Sequence, residues 1–326
     1  MTTTIKVGVI GATGNVGQSV VKGLLSSSTN FAITNFTRQA SIHSRSNQKL
    51  HEQGVSIVDY DLSQPRETLV EKLSEITVLV SCMAWEHLDL QLPWIEAAKS
   101  AGVERFVPSE WVGPSPAGVI DIKDKKLQVL GAIQRARLPY TLIDVGCWHS
   151  VFVPKIPSGR SDSAHSIYID HRIVGDGNQR FALTDLPDIG KYVARIVSDP
   201  RTVNKHVFAY TDVMSMNEMW DTMASVSGEN PIKDHVSEGE LHTIIRDCAK
   251  RLAANPESAH HPSKIMDTAN FNMGQYRISW CIRGDNTPDY AEYLGCLDFW
   301  SLFPDFPKGR SLEAFYREVI NGPAPS

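Results

Sequence analysis

Seven residues near the start of the chain, Gly11-Ala12-Thr13-Gly14-Asn15-Val16-Gly17, have the types and spacing to hold a phosphate group. One glycine lets the chain turn sharply, one lets the backbone come close to a ligand, and one lets a helix pack tightly on the preceding strand. The run follows Ile5-Lys6-Val7-Gly8-Val9-Ile10, of strand type, and opens into Gln18 to Leu25, which has helical spacing. A glycine turn between a strand and a helix N-terminus aims backbone N–H groups and the positive end of the helix dipole at one point, as in sites that cradle a dinucleotide pyrophosphate. Gly11, Thr13, Gly14, Asn15, Val16 and Gly17 are the expected contacts.

The end of the second strand decides which dinucleotide is bound, because an acidic residue there takes the ribose 2′-hydroxyl and an arginine accommodates a 2′-phosphate. Here it reads Thr37-Arg38, with no carboxylate before Glu52. Arg38 offers a planar, permanently charged fork to a phosphate. Ser41, His43, Ser44 and Arg45 add donors, and Arg45 is the expected second contact. These features favour NADPH, although an arginine on a solvated loop would look the same. Other chemistry is sparse. None of the nine tyrosines is followed four residues later by a lysine, and no G-x-S-x-G, H-E-x-x-H or carboxylate dyad occurs. The five cysteines are scattered without a C-x-x-C pair, so neither a disulfide framework nor a metal site is expected. The cluster Lys123, Lys125 and Lys126 reads by spacing alone as a solvated basic turn opening a helix.

Alternating elements position these residues. Strands are expected at 31–38, 55–58, 77–81, 105–108, 140–145 and 205–210, and helices at 92–101, 126–136 and 188–197. This alternation implies an α/β fold, a doubly wound parallel sheet with helices on both faces, of the NADP-binding Rossmann type. Residues 1–150 form the expected dinucleotide-binding domain, with 181–228 returning to it. Residues 151–180 and 229–326 form a smaller substrate-binding region, with helices expected at 238–253, 289–299 and 312–320. Ligands of such sheets bind beyond the carboxyl ends of the strands. Met83 after strand four, Glu110 after strand five, and Trp148, His149 and Phe152 after strand six fall at that edge. Met83 suits a cofactor ring or plain packing. Glu110 suits an orienting contact or a cap. Trp148 and Phe152 suit an apolar wall or a core, and His149 suits an acid, a hydrogen-bond partner or a packing residue.

A net charge of −5 argues against nucleic-acid binding, and no apolar run approaches the length of a membrane span. No signal peptide is visible, so a cytoplasmic protein, monomeric or homodimeric, is expected to act on a small molecule.

Val103-Glu104-Arg105-Phe106-Val107-Pro108-Ser109-Glu110-Trp111 is similar to the strand-five signature of the isoflavone reductase-like family, which belongs to the NmrA-like, atypical short-chain dehydrogenase/reductases. The likeness continues at Leu138-Pro139-Tyr140-Thr141, Cys147-Trp148, Gly175-Asp176-Gly177-Asn178 and Gly284-Asp285-Asn286-Thr287. The resemblance implies a reductase of secondary metabolism. It would pass hydride from NADPH to a C=O, conjugated C=C or C=N of an aromatic or heterocyclic metabolite. It places the family's catalytic lysine at Lys126, beside the nicotinamide, as proton donor. Two alternatives share the superfamily: a non-catalytic NADP-binding regulator that senses redox state, and a dehydratase or isomerase. Leu130 and Gly146 depart from the family pattern, where a basic residue and an Asn are common.

Overall fold

A computed structural model describes residues 4–166, 169–254 and 264–322. The chain opens with β1 (Ile5–Ile10), α1 (Asn15–Leu25), β2 (Phe31–Arg38), α2 (Arg45–Glu52), β3 (Ser56–Tyr60), α3 (Arg66–Leu73), β4 (Val78–Ser81), α4 (Gln91–Ala101) and β5 (Arg105–Val107). The five strands form a parallel sheet in the order β3-β2-β1-β4-β5. Next come α5 (Asp121–Ala136) and β6 (Thr141–Asp144), which extends the same edge through a parallel bridge between Phe106 and Tyr140. The strand order 3-2-1-4-5-6 is that of a doubly wound dinucleotide fold.

The central strands bury both faces, as parallel strands under two helical layers must, while the edge strand β3 is only partly covered. Val78 and Val80 of β4 join Val20, Leu24 and Val193 on one side. Leu79 between them joins Trp94, Ile95 and Ile133 on the other.

The chain then adds β7 (Cys147–Trp148), β8 (Ile173–Val174), β9 (Arg180–Thr184), α6 (Leu186–Val197), β10 (Lys205–Phe208), β11 (Asp212–Ser215) and α7 (Met216–Ser227). β10 lies parallel to β6, and α6 packs on α1. That helix pair is unusually close. A Cβ at Gly190 would lie 1.7 Å from the Ser19 carbonyl oxygen, and one at Gly23 would lie 2.0 Å from the Gly190 carbonyl carbon. Ser19 Oγ bridges the pair, donating to the Leu186 carbonyl at 2.6 Å and accepting from the Gly190 N–H at 2.9 Å.

The remainder holds β12 (His235–Val236), α8 (Glu238–Ala254), α9 (Ile265–Ile278), α10 (Pro288–Tyr293), β13 (Leu297–Asp298), α11 (Phe299–Leu302) and α12 (Leu312–Asn321). A second core containing Phe152, Phe181, Trp220, Trp280 and Tyr316 lies among β7, β9, α7 and α12.

Several expectations are corrected. The helix before β6 starts at Asp121, five residues earlier than its pattern suggested, because Asp121 and Asp124 favour the helix N-terminus and Lys123 is buried in it. The helix expected at 289–299 is broken by Gly295, whose φ of +81° ends α10. Asp298 then caps α11 by accepting from the Ser301 N–H at 2.7 Å. α7 and α9 were not anticipated. Ser215 and Glu218 form a reciprocal capping box that starts α7.

Candidate active site

The glycine turn is built by close approach. Gly11 has φ +81°, and a Cβ there would lie 2.8 Å from the Cys82 carbonyl oxygen at the exit of β4. A Cβ at Gly17 would lie 2.1 Å from the Gly11 carbonyl oxygen. Gly14 caps α1 without placing a side chain over the helix end, and the first turn carries no acidic residue. Its leading N–H groups have no carbonyl four residues back to bind, so they face outward at the positive end of the helix. Gln18 braces the turn by donating to the Thr13 carbonyl at 2.8 Å. This cradle fits the pyrophosphate of a dinucleotide.

Arg38 ends β2 and Arg45 begins α2. Both side chains are exposed, and neither lines the cavity described below. A buried residue that sequence reading missed, Asn47, holds the connecting loop. It accepts from Asn35 Nδ2 at 2.8 Å and donates to Thr37 Oγ1 at 3.1 Å and to the Ser41 carbonyl at 2.6 Å.

A cavity of about 640 Å³ opens at the carboxyl ends of β4 and β5. Val16, Met83, Glu110, Lys126 and Trp148 line it, bringing together five of the residues singled out in the sequence. The strand exits are cross-tied. Ser109 Oγ donates to the Met83 carbonyl at 2.7 Å, Trp111 Nε1 to the Ser81 carbonyl at 2.9 Å, and Trp148 Nε1 to the Trp111 carbonyl at 3.1 Å. Trp111 adopts φ +50°, a costly conformation for a bulky side chain, held by these contacts. The cavity's other side comes from α9 through Ile265, Ala269, Asn272, Met273 and Tyr276, none of which was anticipated. Their spacing of four, three or four and three residues was the available signal. Burial pushes the Tyr276 phenol up, so it remains a donor.

Lys126 is buried and donates from Nζ to the Glu110 carbonyl. Among the described residues lining the cavity it is the one cation. Burial lowers its pKa to about 8, with Lys123 adding to the fall and Glu110 and Asp144 opposing it. One turn earlier Lys123, equally buried, donates to Glu110 Oε2 at 2.9 Å and to Asp144 Oδ1 at 3.3 Å. Asp144 Oδ2 lies 2.8 Å from His206 Nε2. Burial opposes ionisation of Asp144, but Lys123 and His206 outweigh it and hold the carboxyl at about 2. Asp144 in turn overcomes the burial of His206 and lifts the imidazole to about 10. The lysine cluster is therefore no solvated turn: Lys123 and Lys126 face inward and Lys125 faces out.

Two expected substrate-side residues are corrected. His149 is fully buried 3.7 Å from Asp212 Oδ2 and against Phe315, and it does not line the cavity. Burial lowers its pKa to about 4, leaving it neutral. Phe152 belongs to the second core, edge-on to Phe181 and Trp280, and its carbonyl accepts from the Tyr316 hydroxyl at 2.9 Å. Cys147 and Trp148 pair with Leu183 and Thr184 of β9, the His149 N–H donates to the Thr184 carbonyl at 3.0 Å, and the turn that follows leaves the His149 and Phe152 side chains buried.

The family model for the NmrA-like family matches residues 3–293. This chain belongs to the NmrA-like family. The NmrA-like chain is 39% identical over 325 residues, 99% of itself and 97% of its relative, to asnovolin J 5′,6′-dehydrogenase of Aspergillus novofumigatus. It is 30% identical to phenylcoumaran benzylic ether reductase TP7 of Nicotiana tabacum, across 82% of this chain and 89% of that one. Its fold matches leucoanthocyanidin reductase of Vitis vinifera, solved as a ternary complex. The TM-score is 0.75 at 21% identity, covering 97% of this chain and 99% of the other. The isoflavone reductase resemblance seen in the sequence holds across these relatives. Among the described residues no helix is long and apolar enough to cross a membrane.

Proposed function

We propose that this NmrA-like protein is an NADPH-dependent oxidoreductase that reduces a C=O, conjugated C=C or C=N of a small, largely apolar ring-bearing metabolite, with Lys126 as proton donor. The observation that carries this reading is a buried ammonium in a mostly apolar cavity that begins at the glycine turn. NADPH, when bound, supplies the hydride. The chain does the rest. The first turn of α1 holds the pyrophosphate, and Arg38 with Arg45 takes the 2′-phosphate. Trp85, Trp111 and Trp148 keep water from the reacting face, which strengthens the field of a nearby charge. Lys126 Nζ stabilises the oxygen, nitrogen or enolate as negative charge builds and passes it a proton. A pKa near 8 keeps Lys126 mostly protonated at neutral pH yet ready to yield its proton.

In this reading residues 1–150 and 181–228 hold the cofactor, and 151–180 with 229–326 shape the substrate's end of the cavity. Packing of α6 on α1 and the place of α9 in the cavity support that division.

A screen of ketones, enones and imines for NADPH oxidation tests the proposal. With a substrate in hand, Lys126→Ala is expected to abolish turnover while NADPH affinity stays within about tenfold, or 1.4 kcal/mol. Unchanged turnover removes Lys126 from the mechanism. Cofactor binding with no consumption by any substrate points to a sensor. Product without NADPH oxidation points to a dehydratase or isomerase.

The relative named as a dehydrogenase favours a second reading, the same site run in reverse. Neutral Lys126 would then accept the substrate's proton as hydride is transferred to the oxidised cofactor. The pH profile separates the two: reduction falls as pH rises through about 8, and oxidation rises through the same value.

A further inference from the structure

We propose that Lys123 is the positioning residue that sets the proton affinity of Lys126, by occupying the Glu110 carboxylate that would otherwise pair with the Lys126 ammonium. The proposal rests on Lys126 being the working amine.

The geometry is a buried charge ladder behind the cavity. Glu110 Oε2 accepts from Lys123 at 2.9 Å, Lys123 reaches Asp144 Oδ1 at 3.3 Å, and Asp144 Oδ2 meets His206 at 2.8 Å. The side chains of Lys123, Glu110 and Asp144 are 5%, 3% and 0% exposed, and that of His206 is 21% exposed. In this dry setting each charge must be matched. Two carboxylates are balanced by the Lys123 ammonium and the His206 imidazolium, so the ladder sums to zero. Lys126 is the fifth group and, among the described residues, has no counter-charge of its own: its hydrogen bond goes to the Glu110 backbone carbonyl, not to the carboxylate. Tyr276 from α9 faces the same cluster as a neutral phenol, and Glu86, on the segment after β4 that packs against α5, also lines the cavity.

Helical register supports the assignment. Lys123 and Lys126 are three residues apart and so lie side by side on the inner face of α5. Yet they meet different environments. Lys123 is surrounded by carboxylates that raise its pKa against burial, whereas burial wins at Lys126. One lysine serves as permanent counter-ion and the other as titrating amine.

The test reads the Lys126 amine directly, without turnover. Trace labelling of the cofactor-free protein with acetic anhydride across pH 6 to 11, followed by mass spectrometry of the Lys126 peptide, gives its titration midpoint. Lys123→Met frees Glu110 for Lys126, and the midpoint is expected to move up by about one pH unit or more. Glu110→Gln leaves Lys123 and Lys126 facing each other with less negative charge, and the midpoint is expected to move down. Lys123→Arg keeps the charge and keeps the midpoint. The two opposite shifts together cannot come from loss of stability, which has no sign at Lys126. If the midpoint stays in place in Glu110→Gln and in every Lys123 variant that folds, Lys123 is a structural counter-ion and the proposal is overturned. Because no step of this measurement uses substrate, its outcome is separate from whether Lys126→Ala loses turnover.

Discussion

A buried ammonium is unfavourable unless an opposite charge pairs with it, and among the described residues Lys126 is kept buried without a carboxylate of its own. His149 is the opposite case. It lies just past the end of β7, and its ring is enclosed beside Asp212 and Phe315 and held neutral. In the proposed reading Arg38 acts by a different route, through an exposed guanidinium at the end of β2, beside the loop that Asn47 ties to Thr37 and Ser41. Its fork suits the two negative charges of a phosphomonoester. Arg38→Ala is expected to weaken NADPH binding by about tenfold or more, in line with the loss of a charge-assisted pair, and to leave NADH affinity nearly unchanged. Titration of both cofactors by fluorescence decides this, and an equal loss for both contradicts the 2′-phosphate role.

At the scale of elements, the cradle depends on two helices that touch backbone to backbone. In the proposed reading α1 presents its first turn to the cofactor, and α6 packs against α1 at Gly23 and Gly190. Neither glycine has an unusual φ; both are needed because a Cβ would occupy the partner's main chain. Gly190→Ala is expected to push α6 from α1 and to destabilise the protein by about 3 kcal/mol or more, at or above the upper range of overpacking costs. Urea unfolding curves measure this. A midpoint within error of the unsubstituted protein would show that the helices can separate freely. The same reasoning explains why α9 escaped detection. Its cavity-facing stripe of Ile265, Ala269, Met273 and Tyr276 is interrupted by polar Thr268 and Asn272, which face the same cavity. A helix that lines a ligand site shows a weaker apolar stripe than one that faces a core.

For the molecule as a whole, two histidines impose opposite pH dependences on stability. His149 has its pKa lowered from about 6.5 to about 4 by burial, so the unfolded chain binds the extra proton between those values and stability rises with pH across that window. His206 has its pKa raised to about 10 by Asp144, against burial. Its contribution is complete below about 6.5 and is lost as pH rises toward 10. Lys126, lowered to about 8, works against His206 only above that pH. Stability is therefore expected to peak near pH 6.5, with each limb limited to about 1.4 kcal/mol per pH unit for a single proton. Thermal melts from pH 4 to 8 check this. His206→Asn should flatten the alkaline limb and His149→Phe the acidic one. A flat profile in the parent protein would mean that neither histidine is held in the state described.

The strand–helix alternation of a parallel sheet and the glycine cradle could be read from residue types and spacing, because these rest on local rules, whereas the inward Lys126 followed from the family resemblance alone. A parallel strand must be apolar throughout, a tight turn must be glycine, and a helix repeats every 3.6 residues. Lys123 could not be read in the same way. In one dimension it belongs to a run of charges that looks solvated, and only folding brings Glu110, Asp144 and His206 from three other segments to surround it. Phe152 and His149 show the same limit, since the turn of the chain after Trp148 decides whether they face a ligand or a core. Local periodicity states which residues are buried; what they are buried against depends on contacts between segments far apart in the chain, and those exist only in three dimensions.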